Sequence, residues 1–379
     1  MTTKPKSPKP FPLDLDVLRE VADYLNVGIY VTDLDRRIVL WNRKAAEITD
    51  HEAGDIVGLC CADNVLSHED KNGDRLCGSD LCPLHRSMAS GAESGPPILV
   101  YAHKKDGRRV PVYVSTAPLR DKEGNIVGGV ETFRDASDRI RDLEMAQRVQ
   151  RHILPHELPV TDRIRFEVRY CPHAEVGGDF YDVLSLDADH YGVFVADVHG
   201  HGVSAALYTM LLRAFVESQR DLARDPAQFM AALNREMNPF MTSGGFASAA
   251  YMLADIREGR IIYTNAGHPP ALRFMPETKT VEQLSEAGLL LGLSPEHEYE
   301  SFTAPFEQGD VLLCYSDGAT EIVDAEGNML GVNGLSELLA EEAKRNPKHI
   351  PDRLYRRVRE YCHDVSLPDD ILLLSVVRR

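Results

Sequence analysis

The sequence predicts an α+β protein built from two domains, and three observations carry that expectation. At 379 residues the chain is too long for one ordinary core and comfortable for two. Apolar runs in the first third are joined by Asp-Gly and Gly-Asn turn chemistry, the mark of antiparallel strands. From about residue 159 glycine-rich turns alternate with strands and long helices, which predicts helices layered on antiparallel sheet.

Taken in order, residues 1–12 are basic and proline-rich with no apolar core behind them, and read as a flexible tail rather than a secretory leader. Residues 14–25 place apolar side chains at helical spacing after an acidic start. VGIYVTDLDRRIVLWN then gives a strand, a turn and a second strand, and AAEITDHEAGDIVG gives short helices. After a cysteine-rich stretch, 98–103, 110–119 and 126–134 read as strands separated by KKDGRR and RDKEGN. This order, with G-I-Y-V-T-D, Asn42, Gly58 and the closing G-G-V-E-T-F-R-D, resembles a PAS sensor domain over residues 13–135.

Residues 136–158 form a helical linker that Pro155 ends. Ile140, Leu143, Ala146, Val149 and Ile153 recur at three- and four-residue steps. Two readings stay open: a helix packed on one domain, or a short dimeric coiled coil joining sensor to output.

Composition narrows the function classes. The formal net charge of −17 repels phosphate backbones and anionic lipid, so neither nucleic acid nor a membrane surface is expected as the main partner. No apolar run approaches the roughly 18 residues a membrane span needs. Seven cysteines without an export signal point to a reducing, cytoplasmic setting rather than a disulfide framework.

Chemistry concentrates in acidic residues at strand ends. Asp179 follows two glycines in E-V-G-G-D-F-Y-D; Asp197 closes the strand GVFVA; Asp317 follows VLLCYS; Asp369 and Asp370 precede ILLLSVV. Singly, an Asp-Gly after a strand is a turn and an Asp pair before one is a solvated loop. If the strand ends share one edge, the carboxylates converge and repel unless a hard divalent cation offsets them. Oxygen donors without a Cys/His set favour Mg²⁺ or Mn²⁺, and two such ions activate water and clamp phosphoryl oxygens.

The same residues carry a specific resemblance. A-Q-R-V-Q-R-H-I-L-P, E-V-G-G-D-F-Y-D, A-D-V-H-G-H-G-V-S-A-A, Y-T-N-A-G-H-P-P-A-L, L-L-L-G-L, Q-G-D-V-L-L-C-Y-S-D-G-A-T-E and P-D-D-I-L-L-L occur in order over 140–379. This segment resembles SpoIIE-type metal-dependent serine/threonine protein phosphatases, the bacterial branch of the PPM superfamily. The resemblance implies two antiparallel sheets packed face to face and flanked by helices, with the domain occupying 159–379. It implies two Mn²⁺ or Mg²⁺ ions held by Asp179, Asp197, the Val198 carbonyl, Asp317, and Asp369 or its neighbour Asp370. His199 stands where the family commonly has serine and eukaryotic relatives have a histidine able to protonate the leaving alkoxide. Leu372 replaces the usual hydroxyl residue after D-D-I. His268 in N-A-G-H reads as structural, and Cys171 and Cys314 as buried small apolar residues.

Cys60, Cys61, Cys77 and Cys82 fall close together with His68 and His85 nearby, at a spacing that is not a regular zinc knuckle. A metal or iron–sulfur site, a redox-responsive thiol pair and ordinary packing all stay open, and no residue selects a PAS ligand. The expected function is a PAS-controlled signalling phosphatase acting on phosphoserine or phosphothreonine, working as a homodimer. The resemblance implies a phosphorylated STAS-domain anti-sigma-factor antagonist as substrate. The alternative is a catalytically inactive adaptor, which missing ligand carboxylates would mark; none is missing.

Overall fold

The computed structural model describes residues 15–61, 66–155, 157–200, 202–241, 245–363, 367 and 369–379; the expected tail at 1–12 lies outside them. The chain divides into two compact units, Met1–Asp142 and Leu143–Arg379.

The first unit runs α1 (Leu15–Tyr24), β1 (Gly28–Asp33), β2 (Ile38–Trp41), α2 (Arg43–Thr49), α3 (Ala53–Ile56), α4 (Pro83–Ser90), β3 (Ile98–His103), β4 (Arg109–Arg120) and β5 (Ile126–Asp135). The strands form one sheet in the order β2-β1-β5-β4-β3, and every pairing is antiparallel. Alternation decides which face is covered: Val110, Val112 and Val114 of β4 are buried while their neighbours are half-exposed. Asn42 shows why the β2–α2 corner forms. Its Oδ1 accepts the N–H groups of Ile29 at 2.8 Å and Ala45 at 2.9 Å, and its Nδ2 donates to the carbonyls of Ala22 and Val27. The buried amide thus caps α2 and ties it to β1 and to the end of α1 with no polar atom left over.

Helix α5 (Ser137–Ile153) crosses the division between the units. Its apolar stripe is not the surface that the chain covers. Ile140, Leu143, Ala146 and Ile153 are only half-buried and Val149 is exposed. The buried position on α5 is the polar Gln150.

The second unit contains β6 (Ile164–Cys171), β7 (Asp179–Ser185), β8 (His190–Val198), α6 (Val203–Ser218), α7 (Pro226–Met237), β9 (Ala247–Asp255), β10 (Arg260–Ala266), β11 (Ala271–Met275), β12 (Thr280–Leu284), β13 (Phe302–Pro305), β14 (Val311–Tyr315), α8 (Gly331–Arg345), α9 (Ile350–Tyr361) and β15 (Ile371–Arg378). Two antiparallel sheets result, ordered β13-β10-β9-β8-β7 and β12-β11-β14-β15-β6. The two-residue period of a strand sorts their side chains into three layers. Tyr191, Val193 and Val195 of β8 meet Leu372, Leu374 and Val376 of β15 in the core between the sheets. Phe194, Ala196 and Val198 point the other way, against Leu212 and Val216 of α6 and Phe229 and Leu233 of α7. Leu373 of β15 and Leu313 of β14 pack outward on α8 and α9. Phe194 is fully buried, and its truncation to alanine would cost about 3–5 kcal/mol.

The cysteines divide. Cys314 is buried in the inter-sheet core, as expected. Cys171 is only half-buried: it packs against the core beneath α8 and α9 and also accepts a hydrogen bond from the Tyr355 hydroxyl at 3.2 Å. Leu372 is buried in the same inter-sheet core, so the missing hydroxyl is a packing choice; Ser316 supplies a hydroxyl there, accepting the Leu372 N–H at 2.9 Å.

Candidate metal centre

The sandwich brings the acidic residues to one edge. Asp179 begins β7 and Asp197 lies one residue from the end of β8, and the two are direct partners in the antiparallel register. Asp317 opens the turn after β14, and Asp369 and Asp370 precede β15, the strand paired with β14. Four strands from two sheets therefore end in one small region.

Two glycines make room for this convergence. A Cβ on Gly177 would lie 2.2 Å from both Asp370 Oδ2 and the Tyr170 hydroxyl. A Cβ on Gly178 would lie 2.8 Å from the Val198 carbonyl oxygen and 3.3 Å from Asp197 Oδ1. Any other residue would push the carboxylates apart.

The electrostatics are those of like charges held together. Burial, then Asp197 and Asp370, raises the Asp179 carboxyl well above its usual range. Burial, then Asp317 and Asp369, pushes Asp197 up to about 7. Asp317 is raised by burial and by Glu321 and Asp369. Asp179 Oδ2 is buried with no hydrogen-bond partner. Among the described residues, no three His, Cys, Asp or Glu side chains already close into a cage around an ion. The cluster lacks a counter-charge rather than donors: its groups are hard oxygens, mutually repelling and partly orphaned, which is the donor set that suits Mg²⁺ or Mn²⁺.

The two C-terminal aspartates have different surroundings. Asp370 is buried; its Oδ1 accepts the His173 N–H at 2.6 Å and its Oδ2 accepts the Gly178 N–H at 2.7 Å. Asp370 thereby pins the loop before β7. Asp369 is exposed, and its Oδ1 accepts the Asp370 N–H at 2.7 Å.

His199 is exposed, with its ring stacked on Phe246 at 4.4 Å between centroids. His268 is buried, bonded through Nδ1 to the Ser248 hydroxyl at 2.8 Å, and lowered to about 4 by burial, so it is a neutral core group. Three neighbours of the cluster escaped the sequence reading. Glu321, four residues past Asp317, adds negative potential to Asp317 and Asp197. The Tyr170 hydroxyl is buried without a partner beside Asp370 and Asp179. Gln150 clamps Gly177 of the loop from both sides: its Nε2 donates to the Gly177 carbonyl at 2.7 Å and its Oε1 accepts the Gly177 N–H at 3.2 Å. The i+4 spacing signals Glu321; contacts between residues as far apart in sequence as Gln150 and Gly177 leave no local signal.

Of the sensor cysteines, all four are free thiols; Cys61 and Cys82 are buried, and Cys60 and Cys77 half-buried. Among the described residues they form no ready metal cage with neighbouring side chains.

Residues 187–379, just over half of the chain, match the family model of stage II sporulation protein E (SpoIIE), and residues 22–141 match a PAS fold model. The chain belongs to the SpoIIE family: a PAS domain followed by a PP2C-type, metal-dependent serine/threonine phosphatase domain. It is similar to phosphoserine phosphatase RsbU of Bacillus subtilis, 26% identical over 250 residues covering 66% of this chain and 74% of the relative. It is 31% identical over 185 residues to phosphoserine phosphatase RsbP of the same organism, covering 48% of this chain and 45% of that one. Among solved structures, the SiaA-PP2C domain of Pseudomonas aeruginosa superposes with a TM-score of 0.57 at 25% identity, covering 64% of this chain and 98% of that domain.

Proposed function

We propose that this protein is a signalling phosphatase that removes phosphate from phosphoserine or phosphothreonine on a partner protein, under control of its PAS domain. The observation that carries the reading is the register pairing of Asp179 with Asp197 at the edge where Asp317 and Asp369 also end. Asp179, Asp197, Asp317, Asp369 and the Val198 carbonyl would hold the metal ions, with Asp370 fixing the loop. Divalent ions bound there supply the positive charge that activates water and neutralises phosphoryl oxygens. The chain's part is positioning. Paired strands fix the carboxylates, the two glycines let the loop approach them, and we assign exposed His199, two residues past Asp197, to hand a proton to a departing serine oxygen. In this reading water attacks phosphorus directly and in line, without a covalent enzyme intermediate.

For the substrate we propose a phosphorylated STAS-domain anti-sigma-factor antagonist; the similarity to RsbU and RsbP supports it. We assign the half-buried apolar stripe of α5 to pairing between two copies of the chain. The test is phosphate release from a phosphorylated STAS-domain protein with and without Mn²⁺. Mn²⁺-dependent release at catalytic enzyme levels supports the reading. Binding of the phosphoprotein without turnover would favour the adaptor.

A further inference from the structure

The sensor unit contains a dithiol that the phosphatase reading does not use. Residues 76–82 fold into two successive turns: the Ser79 N–H meets the Leu76 carbonyl at 3.3 Å, and the Cys82 N–H meets the Ser79 carbonyl at 3.1 Å. These turns carry Cys82 back towards Cys77, near enough for each thiol to shift the titration of the other. The Cys77 sulfur also accepts the His68 N–H at 3.2 Å, which fixes its position. Cys82 opens α4, with Pro83 in the first turn of the helix. The backbone thus brings two free thiols to the same end of α4.

We propose that Cys77 and Cys82 are an oxidisable dithiol, a site of reversible modification by hydrogen peroxide within the PAS unit. Their environments assign different roles. Cys82 stands at the N-terminus of α4, and the neighbouring Cys77 sulfur together with the backbone N–H groups of His85 and Leu84 lowers its thiol below the usual range, which makes Cys82 the nucleophile. The neighbouring Cys82 sulfur and burial raise Cys77, the partner that resolves it. The other buried sensor cysteine, Cys61, is pushed up to about 12 by burial and by Glu131, so it stays unreactive. The Cys82 thiolate attacks one peroxide oxygen, the O–O bond breaks, and hydroxide leaves as Cys82 becomes a sulfenic acid. The Cys77 sulfur then displaces the sulfenic oxygen, which departs as water with the Cys77 proton, and the S–S bond forms. The two electrons have passed from the two sulfurs to peroxide. A dithiol reductant reverses the change. This inference is independent of the phosphatase reading.

The experiment uses the reduced, metal-free full chain exposed to hydrogen peroxide, with free thiols counted after denaturation and tryptic peptides weighed. Both cysteines lie in one peptide, residues 76–86, bounded by Arg75 and Arg86. The expected result is loss of two of the seven thiols, a 76–86 peptide lighter by two hydrogen atoms, and full recovery with dithiothreitol. Cys82→Ser should slow thiol loss by about tenfold or more. Cys77→Ser should leave Cys82 trapped as a sulfenic acid that dimedone labels. Retention of all seven thiols, a bridge elsewhere, or unchanged loss in Cys82→Ser would overturn the proposal. So would a purified chain carrying stoichiometric zinc or iron released only when these two thiols are modified.

Discussion

Asp179 and Asp197 stand directly opposite each other on adjacent antiparallel strands, β7 and β8. Two like charges in register on a sheet destabilise it unless something between them offsets the repulsion. The rest of the centre follows from that pairing.

Asp197→Asn should reduce phosphate hydrolysis at least ~10²-fold, the scale of losing a major electrostatic element of a site. The metal-free protein should become more stable. Folding raises the Asp197 pKa to about 7, so its contribution is full below the unfolded value near 3.9 and is lost as pH rises through 7. At pH 7 the neutral side chain should return about 2–4 kcal/mol. Urea unfolding of both chains in chelator, at pH 5 and pH 7, checks this; equal stability at pH 7 counts against carboxylate crowding.

His199→Ala separates two roles. A serine phosphate needs its leaving oxygen protonated, and an aryl phosphate does not. Activity on a phosphoserine peptide should fall about tenfold or more, with activity on an aryl phosphate within about threefold of the parent. Equal losses on both would make the ring a packing partner of Phe246.

Gln150→Ala removes both bonds to the Gly177 peptide while every carboxylate remains. The loop that Asp370 pins should loosen, raising the Mn²⁺ concentration for half-maximal activity about tenfold and leaving the saturated rate nearly unchanged. Activation curves against Mn²⁺ distinguish this from simple unfolding, which lowers the plateau.

His268 predicts an acid-sensitive second unit. Folding lowers its pKa to about 4, so its contribution is complete above the unfolded value near 6.5 and declines as pH falls from there towards 4. Between pH 7 and pH 5 the parent should lose about 2 kcal/mol that His268→Gln does not. The comparison of slopes, rather than absolute stability, is what denaturant titrations should report.

The sequence shows most clearly what local chemistry dictates. Strand β3 falls on the expected residues because Asp-Gly turn chemistry bounds it, and Asp179, Asp197 and Asp317 announce themselves by standing at strand ends. The different surroundings of the C-terminal pair were not legible, because Asp370 reaches His173 and Gly178, nearly two hundred residues earlier in the chain. The α5 stripe was legible as a helix, but the role of Gln150 was not, because its hydrogen bonds go to Gly177, far along the chain. Cys171 misled for the same reason: its hydrogen bond comes from Tyr355 on α9.

The most direct test of the central claim is calorimetric titration of Mn²⁺ into the metal-free full chain at neutral pH, beside the Asp179→Asn variant. Saturable binding of about two ions per chain is expected, with at least one ion lost in the variant. No saturable binding, or the same stoichiometry and affinity in the variant, would contradict it.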